Sequence, residues 1–305
     1  MKYVVLFGAV LFTLNPVWAQ PCCTGTGPQE FGLLGIEQDG LIGAELATNI
    51  AQGSFDRSGR YRTLDAGKSV DVITSLGGAY RIWVPQLQVS AQLPLHTQFR
   101  SFTGVQPQVR TGIGDLGLTL RYRLYERELN RRKAVQLSMI DVHSQSVLPT
   151  GRSIENASLN ALGADVTGEG LIAVGVGVRV VIRFYGGAGV RASAQYQRRM
   201  GTFVKLKVGD LVAARWLLDY SLNTRTVVGI GWRYRHVFTP DTSPGDPARH
   251  GSRRLRIVGT LVHHLVVPVW ALTMRFAWDP PIDGISSNIP FAGGSMVVGL
   301  RRVFL

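Results

Sequence analysis

Residues 172–181 read IAVGVGVRVV, and the alternation within them constrains the fold more than any other feature of the chain. Ile172, Val174, Val176, Val178 and Val180 fall on one face of an extended strand, and Ala173, Gly175, Gly177, Arg179 and Val181 on the other. A period of two points to a β-strand rather than an amphipathic helix, which would repeat its apolar residues every three to four positions. The pattern returns from about residue 40 to the C-terminus, in candidate strands at 40–53, 68–82, 86–97, 112–125, 133–147, 168–181, 184–198, 203–220, 224–238, 253–265, 268–279 and 294–305.

The spacing between these segments is as informative as the segments. Connections at 84–85, 126–132, around 182, 223–224 and 265–268 are short, whereas those at 54–67, 98–111, 148–168, 239–252 and 280–293 are longer and rich in Gly, Pro, Ser and Asp. Short and long alternate, except that 199–202 is short where a long one is due. An even number of antiparallel strands with short turns at one end and long loops at the other is the organisation of an outer-membrane β-barrel. The predicted fold class is therefore all-β, a transmembrane antiparallel barrel of about twelve strands over residues 39–305, with both chain ends on the periplasmic side.

A soluble sandwich or barrel would also alternate, but its apolar face would point at its own core, leaving Lys, Glu, Asp and Thr for water. Here 45% of the residues are hydrophobic, mean hydropathy is +0.11, and the face opposite the apolar one is built from Gly, Ala, Ser, Gln and Arg. The segment 270–278 shows this most clearly. Trp270, Leu272, Met274, Phe276 and Trp278 share one face, with tryptophans near both ends as in an interfacial girdle, and Ala271, Thr273, Arg275 and Ala277 share the other. Two features depart from the pattern: the phase changes near Met139-Ile140, which requires a bulge, and Asp210 falls on apolar parity unless Gly209-Asp210 marks a rim.

The N-terminus reads as a secretory signal. Lys2 precedes an apolar run over 3–14, Asn15-Pro16 breaks it, and Val17-Trp18-Ala19 offers small-residue cleavage after Ala19. The run is shorter than the roughly 20 residues a spanning helix needs. Residues 20–38 are expected to be a flexible start. The two cysteines, Cys22 and Cys23, are adjacent and too close to staple a fold; a lipid anchor on Cys22 is the alternative to a dispensable tail. Formal charge is +13 and pI near 10.3, which in a cytoplasmic chain would suggest nucleic acid, but export argues against that partner.

The stretch GIGDLG at 112–117 satisfies G-x-G-x-x-G, the dinucleotide fingerprint, which carries meaning only when a helix comes next. The next nine residues are LTLRYRLYE, where Leu118, Leu120, Tyr122 and Leu124 alternate with Thr119, Arg121, Arg123 and Tyr125. That is a strand, and the glycines read as a tight approach into it; no cofactor is expected. At GIGDLGLTLRYRL, residues 112–124, the chain resembles the outer-membrane barrels grouped with the meta-pathway of phenol degradation, and Gly209-Asp210-Leu211 is similar to that family's second Gly-Asp step. The resemblance implies an exported barrel that passes hydrophobic or aromatic small molecules. Many such barrels end in Phe, which assembly machinery reads; here Phe304 is penultimate.

Alternation sends a set of cations inward: Arg81, Arg121, Arg123, Arg179, Arg183, Arg191, Arg215, Arg233, Arg235, Arg254, Arg256 and Arg275, with Lys205 and Lys207 beside them. The inward acids are fewer, chiefly Glu45, Asp71 and Asp219. A lipid-facing arginine near the midplane would cost about 2–4 kcal/mol, so a lumen is the natural place for this charge, and rings of Arg favour anions there. The same arginines could instead brace one another through the acids and fill a barrel that conducts nothing.

The expected function is thus an outer-membrane channel or transporter of a Gram-negative bacterium, with membrane lipid, a small-molecule solute and the assembly machinery as partners. A structural or adhesive barrel is one rival and a barrel-embedded hydrolase another. Ser138, His143, His236, His263 and His264 are the residues a hydrolase could draw on, but there is no G-x-S-x-G and no H-E-x-x-H, and adjacent His263 and His264 point to opposite faces, so neither a catalytic residue nor a metal ligand is assigned.

Overall fold

The computed structural model of the chain describes residues 38–63, 68–102, 105–127, 135–152, 166–168, 170–200, 202–203, 206–207, 209–238, 251–266, 269–287 and 289–304. The cleavage position after Ala19, Cys22, Cys23, Lys205 and nearly all of the 20–38 segment lie outside them. Every regular element among the described residues is a strand, and twelve of these close into one antiparallel barrel: β1 Gly40–Phe55, β2 Lys68–Arg81, β3 Leu87–Phe102, β4 Val105–Ile113 continuing as Leu116–Glu126, β5 Val135–Leu148, β6 Ile172–Phe184, β7 Ala188–Met200, β8 Leu211–Ser221, β9 Thr226–Val237, β10 Ser252–Val266, β11 Trp270–Trp278 and β12 Ile289–Phe304. Each pairs with its neighbours in sequence. β12 returns to pair with β1 from Gly40↔Phe304 to Phe55↔Ile289, so the sheet closes on itself.

The inside-out arrangement of this barrel is physical evidence for a membrane. On β6, Ile172, Val174, Val176 and Val178 are all at least 40% exposed, whereas Ala173, Arg179 and Val181 between them are nearly buried. Elsewhere Ile42, Leu46, Leu76, Leu120, Ile230 and Phe276 are exposed, while Asp71, Gln98, Arg100, Asp141 and Asp219 are buried. Water-soluble domains do the reverse. Aromatic side chains collect toward both rims, Tyr80, Trp83, Tyr185, Tyr220 and Trp270 toward the short-turn end, and Trp232, Phe238 and Trp278 toward the other. Arg302 stacks over Trp270 and Phe304 at 5.7 and 5.3 Å, keeping its charge at the interface while its stem lies along apolar rings.

Several boundaries differ from the sequence reading. The connection expected over 98–111 is strand for most of its length: β3 and β4 stay paired from Leu95↔Ile113 to Phe102↔Val105, because the alternation of Gln98 and Arg100 against Thr97 and Phe99 continues past the glycine and proline that mimic a loop. The strand expected from 203 begins at Leu211. Thr202–Phe203 and Leu206–Lys207 form a separate small hairpin in the β7–β8 connection, so the long connection missing from the sequence pattern is present. The turn expected near Ile182 lies at 185–187, where Gly186 and Gly187 both take φ of 90°, a conformation side chains strongly disfavour. β12 starts at Ile289 rather than 294. Asp210 sits on the rim, just before β8, where its carboxylate accepts the Tyr196 hydroxyl.

Candidate functional site

The interior face is set by strand parity, interrupted by bulges. The change of phase in β5 is accommodated at Ser138, the residue skipped between Leu137↔Ile182 and Met139↔Val181. Below it Gln136 faces inward; above it Asp141, His143 and Gln145 do. A matching shift at Leu124 lies between Arg123↔Asp141 and Tyr125↔Ile140 on β4. These bulges put Arg123 and Arg179 directly across from Asp141 on either side.

The glycine stretch 112–117 is the third irregularity, and its cause is Pro94. In β3, Pro94 offers no N–H to β4, and opposite it the two parts of β4 shift register between Leu95↔Ile113 and Gln92↔Gly117. The Pro94 carbonyl accepts the Gly114 N–H at 2.7 Å, and the chain bulges through Gly114-Asp115. The space freed by the glycines is used. A Cβ on Gly114 would stand 2.7 Å from the His96 ring, and one on Gly112 would stand 2.9 Å from Thr167 Cγ2. Thr167 belongs to the long β5–β6 connection, whose two stems are fastened here. Thr167 Oγ1 donates to the Ile113 carbonyl at 2.6 Å, Thr150 Oγ1 donates to the Gly114 carbonyl at 2.6 Å, and the Gly151 N–H reaches Asp115 at 3.0 Å. The Gln98 amide, on the interior face, donates to the Val166 carbonyl at 2.5 Å, which places this connection against the inner wall.

Most of the interior arginines stand beside acids. Arg121 (4% exposed) lies opposite Gln88 and His143, and Arg123 donates to Asp141 at 3.2 Å and to Glu126 at 2.5 Å. Arg179 is buried opposite Asp141 and Ser193. Arg183 and Arg191 converge on Asp219 at 2.6 and 3.3 Å. Arg275 meets Glu45 at 2.5 Å, and Asp71 lies 3.5 Å from His96. Arg81 closes β2 at the short-turn end, its backbone N–H donating to the Asp39 carbonyl. Lys207 lies on the small rim hairpin.

Several interior groups are not among those that the sequence reading singles out, Asp141, Asp279 and Arg100 among them. The phase change in β5 hides Asp141. Asp279 is the last residue of an expected strand and continues its inward series Arg275, Ala277; it accepts Arg254 through both oxygens, at 2.8 and 2.6 Å, and lies 3.4 Å from Arg256. Arg100, almost fully buried, falls in an expected loop; it donates to Gln98 at 2.8 Å and to the Val70 and Phe99 carbonyls.

One part of the wall sets arginines side by side. Arg215 on β8 is directly opposite Arg233 on β9, and Arg233 is directly opposite Arg256 on β10, so three guanidiniums form a row across adjacent strands. Arg235 and Arg254 form a second opposed pair one step toward the long loops. Before this wall lies a cavity of about 130 Å³, enough for several waters, lined by Arg215, Arg233, Arg235, Arg256 and Arg275, by Asn49, Gln145, Gln195 and Gln197, and by apolar Leu211, Val258 and Val297. No carboxylate is among its described lining residues.

Among the described residues the histidines do not assemble a catalytic pair. His143 is interior on β5, His236 packs edge-on against Phe238 at 4.6 Å, and His263 Nδ1 shares a hydrogen bond with Thr226 Oγ1 at 3.0 Å. His263 and His264 lie within β10. Ser138 is the bulge residue of β5, and no group of three or more metal-ligating side chains is found among the described residues.

No family model matches the chain, and no curated protein matches it in sequence. Among solved structures it is similar to an outer-membrane channel from Pseudomonas putida F1, with 16% identity and a TM-score of 0.67 over 91% of this chain and 99% of that one. The translocator domain of the autotransporter NalP from Neisseria meningitidis matches at 11% identity and TM-score 0.46 over 87% and 88% of the two chains. The toluene transporter TodX of P. putida matches at 9% and 0.40 over 87% and 90%. The similarity to the first of these is one of fold, and the architecture is that of a twelve-stranded outer-membrane β-barrel.

Proposed function

We propose that the chain is an outer-membrane channel for small molecules whose interior arginines bias it toward anions. The observation that carries this reading is a closed barrel with an apolar outer belt and an interior wall on which, among the described residues, guanidiniums outnumber carboxylates, facing a polar cavity on the side of β8–β11. The fold shared with the P. putida channel supports a channel role. The finer assignment, to the barrels grouped with the meta-pathway of phenol degradation, rests on residues 112–124 and on Gly209-Asp210-Leu211, and carries an expectation of hydrophobic or aromatic solutes. Delivery to the membrane would use assembly machinery that reads the last strand, in which Phe304 is penultimate.

Two classes of arginine share the interior under this reading. Arg123, Arg183, Arg191 and Arg275 have carboxylate partners within 3.3 Å and act as braces, whose removal strands a buried acid. Arg215, Arg233 and Arg235 line the cavity beside Arg275 and meet the solute there. Reversal potentials in a planar bilayer under a salt gradient test this. The wild-type barrel should prefer anions, and Arg121→Gln with Arg233→Gln should keep a heat-modifiable barrel while moving preference toward cations, most strongly at low salt. Absence of conductance would favour a structural barrel, and hydrolysis of ester or lipid substrates an enzyme.

A further inference from the structure

The cavity in front of the arginine wall has a second side, and that side is built from amides. Gln145 on β5, Gly175 on β6 and Gln197 on β7 are directly opposed on the inner face. Gly175 carries no side chain, so the two glutamines flank a gap in the wall. Gln195 follows one step along β7 toward the short turns, and Asn49 reaches the same cavity from β1 across the lumen. Gln145 and Gln197 are 9% and 5% exposed, and among the described residues neither side-chain amide has a hydrogen-bond partner within the protein. The Asn49 Nδ2 is buried without one. Buried amides are nearly always bonded, either to protein or to a molecule held against them. Within reach of these amides lies the content of the cavity.

Resting on the channel reading, we propose that these amides form a binding site for a small polyhydroxylated solute, a polyol or sugar of monosaccharide size. The chemistry of the lining decides the class. A carboxamide offers a carbonyl that accepts and an NH2 that donates, whereas a guanidinium only donates. A carboxylate or an aromatic ring brings no donor, so either would leave the carbonyls of Gln145, Gln195 and Gln197 unserved. A hydroxyl both gives and takes a hydrogen bond, and several on one short chain match several amides at once. The guanidiniums on the other side of the cavity keep their own partners in this arrangement. Gln145 and Gln197 each stand three residues from the long-loop end of their strands, so a solute entering from outside meets the amides early.

Isothermal titration of the folded full chain in detergent micelles tests the site with ribitol against 1,5-pentanediol, the same carbon chain with only its end hydroxyls. Ribitol should bind saturably at one site, and the diol about tenfold or more weaker, because a site built to bond hydroxyls rejects an analogue that lacks them. Gln145→Met and Gln197→Met keep the length of the side chain and lose both hydrogen-bonding groups. Each should leave heat-modifiability unchanged and weaken ribitol about tenfold. Gln145→Asn keeps the amide but draws it back by one methylene; it should fold even where a methionine variant does not, and should also weaken ribitol. Equal binding of the two probes, no ribitol binding at all, or unchanged ribitol affinity in the folded variants overturns the site. Conductance of the same preparation in a planar bilayer separates this from the channel reading: conductance without ribitol binding removes the site and leaves the channel, whereas ribitol binding without conductance removes the channel and leaves the site.

Discussion

Arg254 holds Asp279 with two parallel hydrogen bonds, Nε to Oδ1 at 2.8 Å and Nη2 to Oδ2 at 2.6 Å, and the same carboxylate accepts the Gly293 N–H at 2.9 Å. One side chain thus ties β10 to the end of β11 and the start of β12. Asp279→Ala removes the counter-charge that Arg254 and Arg256 share. The expected loss is about 3 kcal/mol, read as a lower melting temperature of the heat-modifiable species on gels; an unchanged melting temperature would show that water alone satisfies both arginines.

Asp279, just past the end of β11, also makes stability depend on acid. Burial raises its pKa, but the Arg254 and Arg256 guanidiniums and the Gly293 N–H outweigh this and hold it below the ordinary 3.8. A depressed carboxylate contributes stability that is fully present above the unfolded value and is lost as pH falls through the folded one. Thermal melts followed by circular dichroism should therefore drop below about pH 4 in the wild type, with a shallower drop in Asp279→Asn. Parallel curves for the two proteins would place the acid sensitivity elsewhere.

The space over Gly112 belongs to Thr167. In Gly112→Val the new side chain meets Thr167 Cγ2 within 2.9 Å at its first carbon, so the residues around Val166 must leave the wall. The barrel itself should persist, with unchanged heat-modifiability, while proteolysis of the β5–β6 connection accelerates several-fold. Equal cleavage rates would mean that Thr167 shifts without releasing its hydrogen bonds.

Outward and inward positions on one strand should respond oppositely to the same charge. Val176→Arg places a guanidinium in lipid at a cost of about 2–4 kcal/mol, and refolding into lipid vesicles should show it. Gly175→Arg, one residue away, fails for another reason, since a Cβ there stands 2.6 Å from the Tyr196 carbonyl. Ala173→Arg, on the inner face near the rim, should refold with less than half the penalty of Val176→Arg.

Much of the barrel is legible in the sequence because alternation is local. The faces of β6 and β11 emerge from each strand's own short run of residues, with no knowledge of the partner strand. Hidden from such a reading is whatever alternation loses when its phase slips or when turn residues intrude. Asp141 changes face only because Ser138 is skipped in the ladder, and Ser carries no mark that announces a bulge. Arg100 lies between Pro94 and the residues Gly104 and Pro107, so punctuation overrides a parity that Gln98 and Phe99 still carry. The opposed row Arg215, Arg233, Arg256 cannot be read at all, because it exists only in the register between strands.

The Gly114-Asp115 bulge acts on β4 as a reading frame acts on a message. With it in place, Arg121 and Arg123 face inward below the break, and Val109 and Ile113 face outward above it. Removing one residue from 112–117 would turn one of these halves over, exposing two arginines to lipid or turning the upper hairpin inside out. The long loops tolerate added or lost residues without any such inversion. Length should therefore be invariant across this short stretch in descendants of the chain while the loops drift, and in this barrel a missing residue would be more damaging than an altered one.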